Sequence, residues 1–193
     1  LTMQSGSSYY PLHYACAGGA LETFTFIIMM LEDKSQLNYC PPEFYLTPIF
    51  LATSSCSSKI LQILFDNGAT IPKYSISNPN PTPLQVAIKV KNKDCLHELL
   101  YHSNIHQPGD KYFTPLIRAI LEKNIDAVKF LIEEGADIDY HTPDGKTTLY
   151  FACLVKNEFI VQLLLDRGVS VDNPGFLGKY PIHFAASSDN VNI

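Results

Sequence analysis

The chain has 193 residues, 46% hydrophobic and 17% charged, with 14 lysine plus arginine against 19 aspartate plus glutamate and a net charge of −5. That balance argues against a nucleic-acid ligand, whose phosphates call for a basic surface, and suits a basic partner segment better. No run approaches the roughly 18 uncharged apolar residues of a membrane span, and the most apolar stretch, 24–31, is too short.

Six times along the chain a short segment recurs, its second residue proline in five of the six: Tyr10-Pro11-Leu12-His13, Thr47-Pro48-Ile49-Phe50, Thr82-Pro83-Leu84-Gln85, Thr114-Pro115-Leu116-Ile117, Thr147-Thr148-Leu149-Tyr150 and Tyr180-Pro181-Ile182-His183. The intervals between the second residues are 37, 35, 32, 33 and 33. Threonine before proline starts a helix well: the hydroxyl accepts from an orphan amide, and proline at the first helical position has no amide to leave unpaired.

The first repeat has Pro11 and Ala15 on one helix and an apolar second helix over 24–28. Leu31 stands where a stop glycine is expected, which predicts that this helix runs on past the usual end. The segment 32–45 is four residues longer than the common spacing and contains Pro41-Pro42, so a lengthened loop is expected. Repeat two keeps the frame with Pro48, Ala52, Leu61, Leu64 and Gly68-Ala69. After it, 71–81 carries Pro72, Pro79 and Pro81 and reads as extended and poor in hydrogen bonds. Repeat three has Pro83, Ala87, Leu96, Leu99 and Leu100, but Ser103-Asn104 replaces Gly-Ala and its turn must be reshaped.

Repeat four sets the register: Thr114 as N-cap, Leu116, Ala119 and Ile120 inward, a break over 122–124, a second helix with Val128 and Leu131, and Gly135 as its stop. The chain then runs out in a finger that turns at Asp144-Gly145. Repeat five matches at an offset of 33: Ala152 for Ala119, Asn157 for Asn124, Val161 for Val128, Leu164 for Leu131, Gly168 for Gly135. In repeat six a first helix is expected over 181–187. The last residues, 190–193, match the start of a second helix without its apolar body, which reads as a fragment of a longer repeat protein.

A period near 33 that opens with a T-P-L-H-like tetrapeptide resembles the ankyrin repeat family, over nearly the whole chain. The resemblance implies an all-α ankyrin repeat solenoid of five helix-turn-helix repeats plus a truncated sixth, with short finger hairpins. It would form a single domain, 1–193, with repeats at about 7–42, 43–78, 79–110, 111–143, 144–176 and 177–193. It also implies a protein-protein interaction module, a scaffold or adaptor in the cytoplasm or nucleus. The alternative is a substrate-recruiting or regulatory arm of an enzyme, a kinase or a ubiquitin ligase, whose catalytic domain lies elsewhere. In the family the threonine and histidine of T-P-L-H support one another, but no repeat here carries both, and each lost cap costs ~0.5 to 2 kcal/mol. An array less stable than a consensus array is therefore expected.

The sequence offers no catalytic, cofactor or metal set. The five cysteines are odd in number, and the register places Cys16, Cys95 and Cys153 in packing positions, where a free thiol behaves as a small hydrophobe. That fits a reducing compartment. His97, His102 and His106 cluster in sequence but fall at unrelated register positions, and Cys16 with His13 is proximity rather than a dyad. Gly18-Gly19 reads as a connector between helices.

Partner binding is carried over from the family to the finger tips and the exposed ends of the first helices, a concave strip. By register this selects Phe44 and Leu46 in repeat two, Pro81 and Lys89 in three, Lys111, Phe113, Leu121 and Glu122 in four, Asp144, Lys146, Leu154 and Val155 in five, and Phe176, Leu177 and Lys179 in six. Leu46 and Leu177 are expected to be buried between neighbouring fingers; Phe113, Leu121, Leu154 and Val155 suit either burial or a partner. Lys111, Lys146 and Lys179 form a row on successive fingers, opposite Asp126, Glu133, Glu134, Glu158 and Asp166 on second helices. If that row is exposed, the strip favours an acidic or neutral apolar peptide.

Overall fold

The computed structural model describes residues 9–41, 46–71, 81–173 and 175–186, the side chains of Asp110 and Phe176 excepted. The helices come in pairs: α1 (Pro11–Gly18) with α2 (Leu21–Met29), α3 (Pro48–Ser54) with α4 (Ser58–Asp66), α5 (Pro83–Lys89) with α6 (Lys93–His102), α7 (Pro115–Leu121) with α8 (Ile125–Glu133) and α9 (Thr148–Leu154) with α10 (Glu158–Asp166). Then comes α11 (Pro181–Ala186). The described residues contain no strand, only one isolated bridge between His141 and Thr147. The chain falls into two compact units, Leu1–Ser103 and Asn104–Ile193.

In the first unit α1 packs on α3 and α3 on α5, with α4 against α6; in the second α7 packs on α9, α9 on α11, and α8 on α10. Small inward residues let the first helices approach. Ala15, Ala52, Ala87, Ala119 and Ala152 are all buried, and above them lie Leu12, Ile49, Leu84, Leu116 and Leu149. From the second helices Phe24, Leu61, Leu96, Val128 and Val161 close the layer. Burying such side chains supplies ~1.5 to 3 kcal/mol each, so the register itself carries the fold.

The hydroxyls of Thr47, Thr82, Thr114 and Thr147 accept from the amides of Phe50, Gln85, Ile117 and Tyr150 at 3.3, 3.2, 3.3 and 3.0 Å. Gln85 takes over the histidine's part, because its Oε1 accepts the Thr82 N–H at 3.0 Å and completes a capping box. His183 does the same without a threonine, its Nδ1 accepting the Tyr180 N–H at 3.1 Å. The expected loss of caps is therefore smaller than the missing T-P-L-H tetrapeptides suggest. Asn92, Asn124 and Asn157 cap the second helices, a role their type allows but the register did not require.

Two expectations, the run-on of α2 and the burial of Leu177, need correction. α2 does not run on: it stops at Met29, and the lengthened segment folds into a 3-10 turn, Lys34–Asn38, that Asp33 caps and that buries Leu37. The helix ends at the register position of Asp66, Glu133 and Asp166, the last residues of α4, α8 and α10. In the second unit the finger hairpins are short, as expected, each closed by one backbone N–H to carbonyl bond, Gly109 to Phe113, Thr142 to Lys146 and Gly175 to Lys179. Outside the Thr142 to Lys146 closure the pairing goes one step further, to the bridge between His141 and Thr147. Leu177, expected between fingers, occupies the turn of its finger at φ 59° and is exposed.

The reshaped turn of repeat three is seen directly. α6 extends to His102, whose ring stacks on Phe65 with centroids 3.7 Å apart, and Ser103 ends it in an extended conformation. The insertion at 72–80 lies outside the described residues, as do 187–193 beyond α11.

Candidate functional site

The second unit brings together most of the residues that the register selects. Phe113, the last finger residue before α7, meets Phe151 of α9 edge to face at 5.2 Å, and the Arg118 guanidinium lies 5.8 Å from the Phe113 ring centre. Arg118 also pairs with Glu122 one turn on, at 3.7 Å. The aromatic contacts continue from Phe151 to Tyr150 at 5.2 Å and from Tyr150 to Phe184 of α11 at 4.6 Å. Phe113 and Glu122 are thus half-buried members of a row rather than free side chains. Sequence reasoning missed Arg118; a lone cation in an otherwise apolar first helix was its only signal.

At the ends of the first helices, Leu121 and Val155 are half-buried and Leu154 is 55% exposed. Leu154 closes α9, with Val155 as its C-cap. In the first unit Lys89 is exposed and Leu46 and Pro81 are half-buried; Phe44 lies outside the described residues, and the Phe176 side chain likewise.

The lysine row is uneven. Lys111 and Lys179 are exposed, whereas Lys146 is half-buried and ion-paired with Asp144. Hydrogen bonds from Lys146 and from the Thr142 hydroxyl hold the Asp144 carboxyl below its ordinary range. Opposite, Asp126, Glu133, Glu134, Glu158 and Asp166 are all exposed on α8 and α10, where Glu133 reaches Arg167 at 3.9 Å.

The buried thiols behave as packing atoms. Cys16, Cys95 and Cys153 are buried and none of the five cysteines is in a disulfide; burial pushes the Cys95 thiol up to about 12 and those of Cys16 and Cys153 up as well. A thiol held protonated is a poor nucleophile. The His13 ring, also buried, is committed to the Tyr39 carbonyl, to which Nε2 donates at 3.1 Å. Among the described residues no helix is long and apolar enough to cross a membrane, and no group of three or more His, Cys, Asp or Glu side chains is placed to hold a metal ion.

Residues 73–142 match the family described as ankyrin repeats, in three copies. The chain is 31% identical over 105 residues to the putative ankyrin repeat protein FPV031 of Fowlpox virus (strain NVSL), covering 53% of this chain and 30% of that protein. It is 33% identical over 106 residues to ankyrin repeat and SOCS box protein 5 of Oryctolagus cuniculus, covering 55% and 30%. The chain thus spans less than a third of these curated relatives. Its fold is similar to the crystal structure of the ankyrin repeat domain of Bcl-3, with a TM-score of 0.82 at 23% identity, over 94% of this chain and 81% of that one.

Proposed function

We propose, for a chain that belongs to the ankyrin repeat family, a protein-binding scaffold whose partner lies on the finger-side face of the second unit. Ankyrin repeat domains are protein-protein interaction modules, and the fold has no chemistry of its own to offer. One observation carries the choice of face: Leu154 stands exposed at the end of α9, next to half-buried Val155, and α7, which packs on α9, ends at half-buried Leu121 and Glu122. Apolar anchors surrounded by partly covered polar groups are the pattern of an interface centre.

With Lys146 paired to Asp144, exposed Lys111 and Lys179 still give the finger edge of this face positive charge. The ligand that suits it is an apolar peptide with acidic residues at its margin. A photo-crosslinking amino acid at position 154 should capture the partner from cells, and the same probe at exposed Glu133 should not. Capture from Glu133 alone would place the partner on the second helices and overturn this reading.

A second reading, the recruiting or regulatory arm of an enzyme such as a kinase or ubiquitin ligase, draws support from the length of the curated relatives, one of which joins ankyrin repeats to a SOCS box. Both readings place the partner on the repeats.

A further inference from the structure

The second helix of repeat one is built unlike the others. Thr23, Phe26, Ile27 and Met30 recur at i, i+3, i+4 and i+7 and so share one face of α2. In the register, Thr23 stands where the other second helices bury Ile60, Cys95, Ala127 and Ile160, and it is exposed. Met29 and Met30 stand where the others carry Asp66 and Asn67, Tyr101 and His102, Glu133 and Glu134, or Asp166 and Arg167. The helix is therefore polar where a neighbouring repeat would press on it and apolar where repeats normally meet water. Phe26, Met29 and Met30 are 64%, 82% and 59% exposed.

Beside this stripe is an apolar cleft of about 370 Å3, walled by Tyr9 and Tyr14 on one side and by Ala20, Thr23 and Ile27 on the other. The two tyrosine rings meet edge to face at 6.0 Å. The volume suits one or two apolar side chains at the lower end of ligand-site sizes. Both ends of α2 are acidic, with Glu22 before the stripe and Glu32 and Asp33 after it, against the single cation Lys34, and all four are exposed.

We propose that this face of repeat one is a second docking site, and that its occupant is an amphipathic helix of a partner protein, apolar on one face and basic at its flanks. Methionine and phenylalanine give a soft surface that adapts to knobs at helical spacing. The cleft between Tyr9, Tyr14 and Ile27 takes one knob, and the acidic ends of α2 select lysine or arginine on the incoming helix. The site lies wholly in the first unit and uses no residue of the finger-side face of the second.

The test titrates the purified chain with a synthetic amphipathic helix carrying leucine at i, i+3, i+4 and i+7 and lysine elsewhere. Controls are the same peptide with glutamate for lysine and a scramble of equal composition, all read by fluorescence anisotropy. The lysine peptide should bind at least about tenfold more tightly than either control, and Phe26→Ser with Met30→Ser should lose about tenfold. Met29→Ser with Met30→Ser serves as the independent variant if Phe26→Ser disturbs folding. Leu154→Ala should leave the peptide affinity unchanged, so failure here and failure of the finger-side reading are separable. Equal binding of the scramble, or indifference to both serine pairs, overturns the site. Self-association in sedimentation that the serine pairs abolish would make the occupant a second copy. Loss of peptide binding in the product of the whole gene, with any residues it encodes before Leu1, would make it the chain's own segment. Either result overturns the proposed occupant.

Discussion

The rings of Phe113 and Phe151 meet edge to face at 5.2 Å, so the finger that leads into α7 is fastened to the first helix of the following repeat. Phe113 is thereby a structural residue as well as a candidate contact. Phe113→Ala should lower the stability of the second unit by about 1 to 3 kcal/mol, the loss of a half-buried ring and its aromatic partner. Phe113→Leu should retain most of it. Urea denaturation followed by circular dichroism distinguishes the two; equal stability of Phe113→Ala and the native chain would mean that the contact does not hold the finger.

The reciprocal bonds of Thr82 and Gln85 make a second prediction. Both side chains are buried, and the pair satisfies two orphan amides at the start of α5. Gln85→Ala should cost about 1 to 2 kcal/mol, because a buried amide is left without its acceptor. Gln85→His, which restores the family's tetrapeptide, should cost much less. A Gln85→His variant as unstable as Gln85→Ala would show that histidine cannot replace glutamine here.

The turns between paired helices hold a third. Gly19 has φ 64°, and the matching residues of the next four repeats, Cys56, Lys91, Lys123 and Lys156, also have positive φ, between 48° and 59°. A left-handed conformation costs a residue with a side chain ~1 to 2 kcal/mol, partly offset by the entropy glycine loses on folding. Lys123→Gly and Lys156→Gly should each raise stability by about 0.5 to 1 kcal/mol. The converse change, Gly19→Ala, should lower it, since a Cβ there would meet Ser57 Oγ at 2.8 Å. Thermal melts of the three variants decide the matter, and a lowered melting temperature for both lysine variants would contradict the strain.

These turns also mark how far the residues alone lead. The helix pairs, the buried alanine column, the threonine caps and the stops at Gly68, Gly135 and Gly168 follow from local spacing and type, and all are present. The turn strain was not legible, because lysine and cysteine at those positions give no sign of a glycine conformation. Nor was the end of α2, which stops at Met29 although Leu31 stands where a stop glycine is expected. At the candidate site, the positions of Leu121, Leu154 and Val155 could be read from the register, but the engagement of Phe113 by Phe151 and of Lys146 by Asp144 arises between side chains. Periodicity carries no information about such pairs.

Acid should weaken the first repeat through His13. Burial lowers its pKa from the ordinary 6.5, the Tyr39 and Tyr10 backbone groups opposing only in part. A folded-state pKa below the unfolded one means that the unfolded chain takes up the proton first. Stability is therefore complete above about pH 6.5 and falls as the pH drops below it. His13→Gln, which can still donate to the Tyr39 carbonyl, should be less stable at pH 7 but lose less between pH 7 and pH 5. Parallel pH slopes for the two chains would remove His13 from the acid response.

The central claim is that the second unit binds its partner through its fingers and the C-terminal ends of α7 and α9, where Leu121 and Leu154 stand. The most direct measurement is the affinity of the partner recovered by the position-154 crosslink, taken for the native chain, for Leu121→Ala with Leu154→Ala, and for Lys129→Glu with Glu134→Lys on the exposed side of α8. Truncating interface anchors commonly costs ~2 kcal/mol or more, about a thirtyfold loss of affinity. The account predicts that loss for the leucine pair, with unchanged helical circular dichroism, and little effect of the charge swap. Undiminished binding by the leucine pair together with loss in the charge-swapped chain would contradict it and place the partner on the second helices.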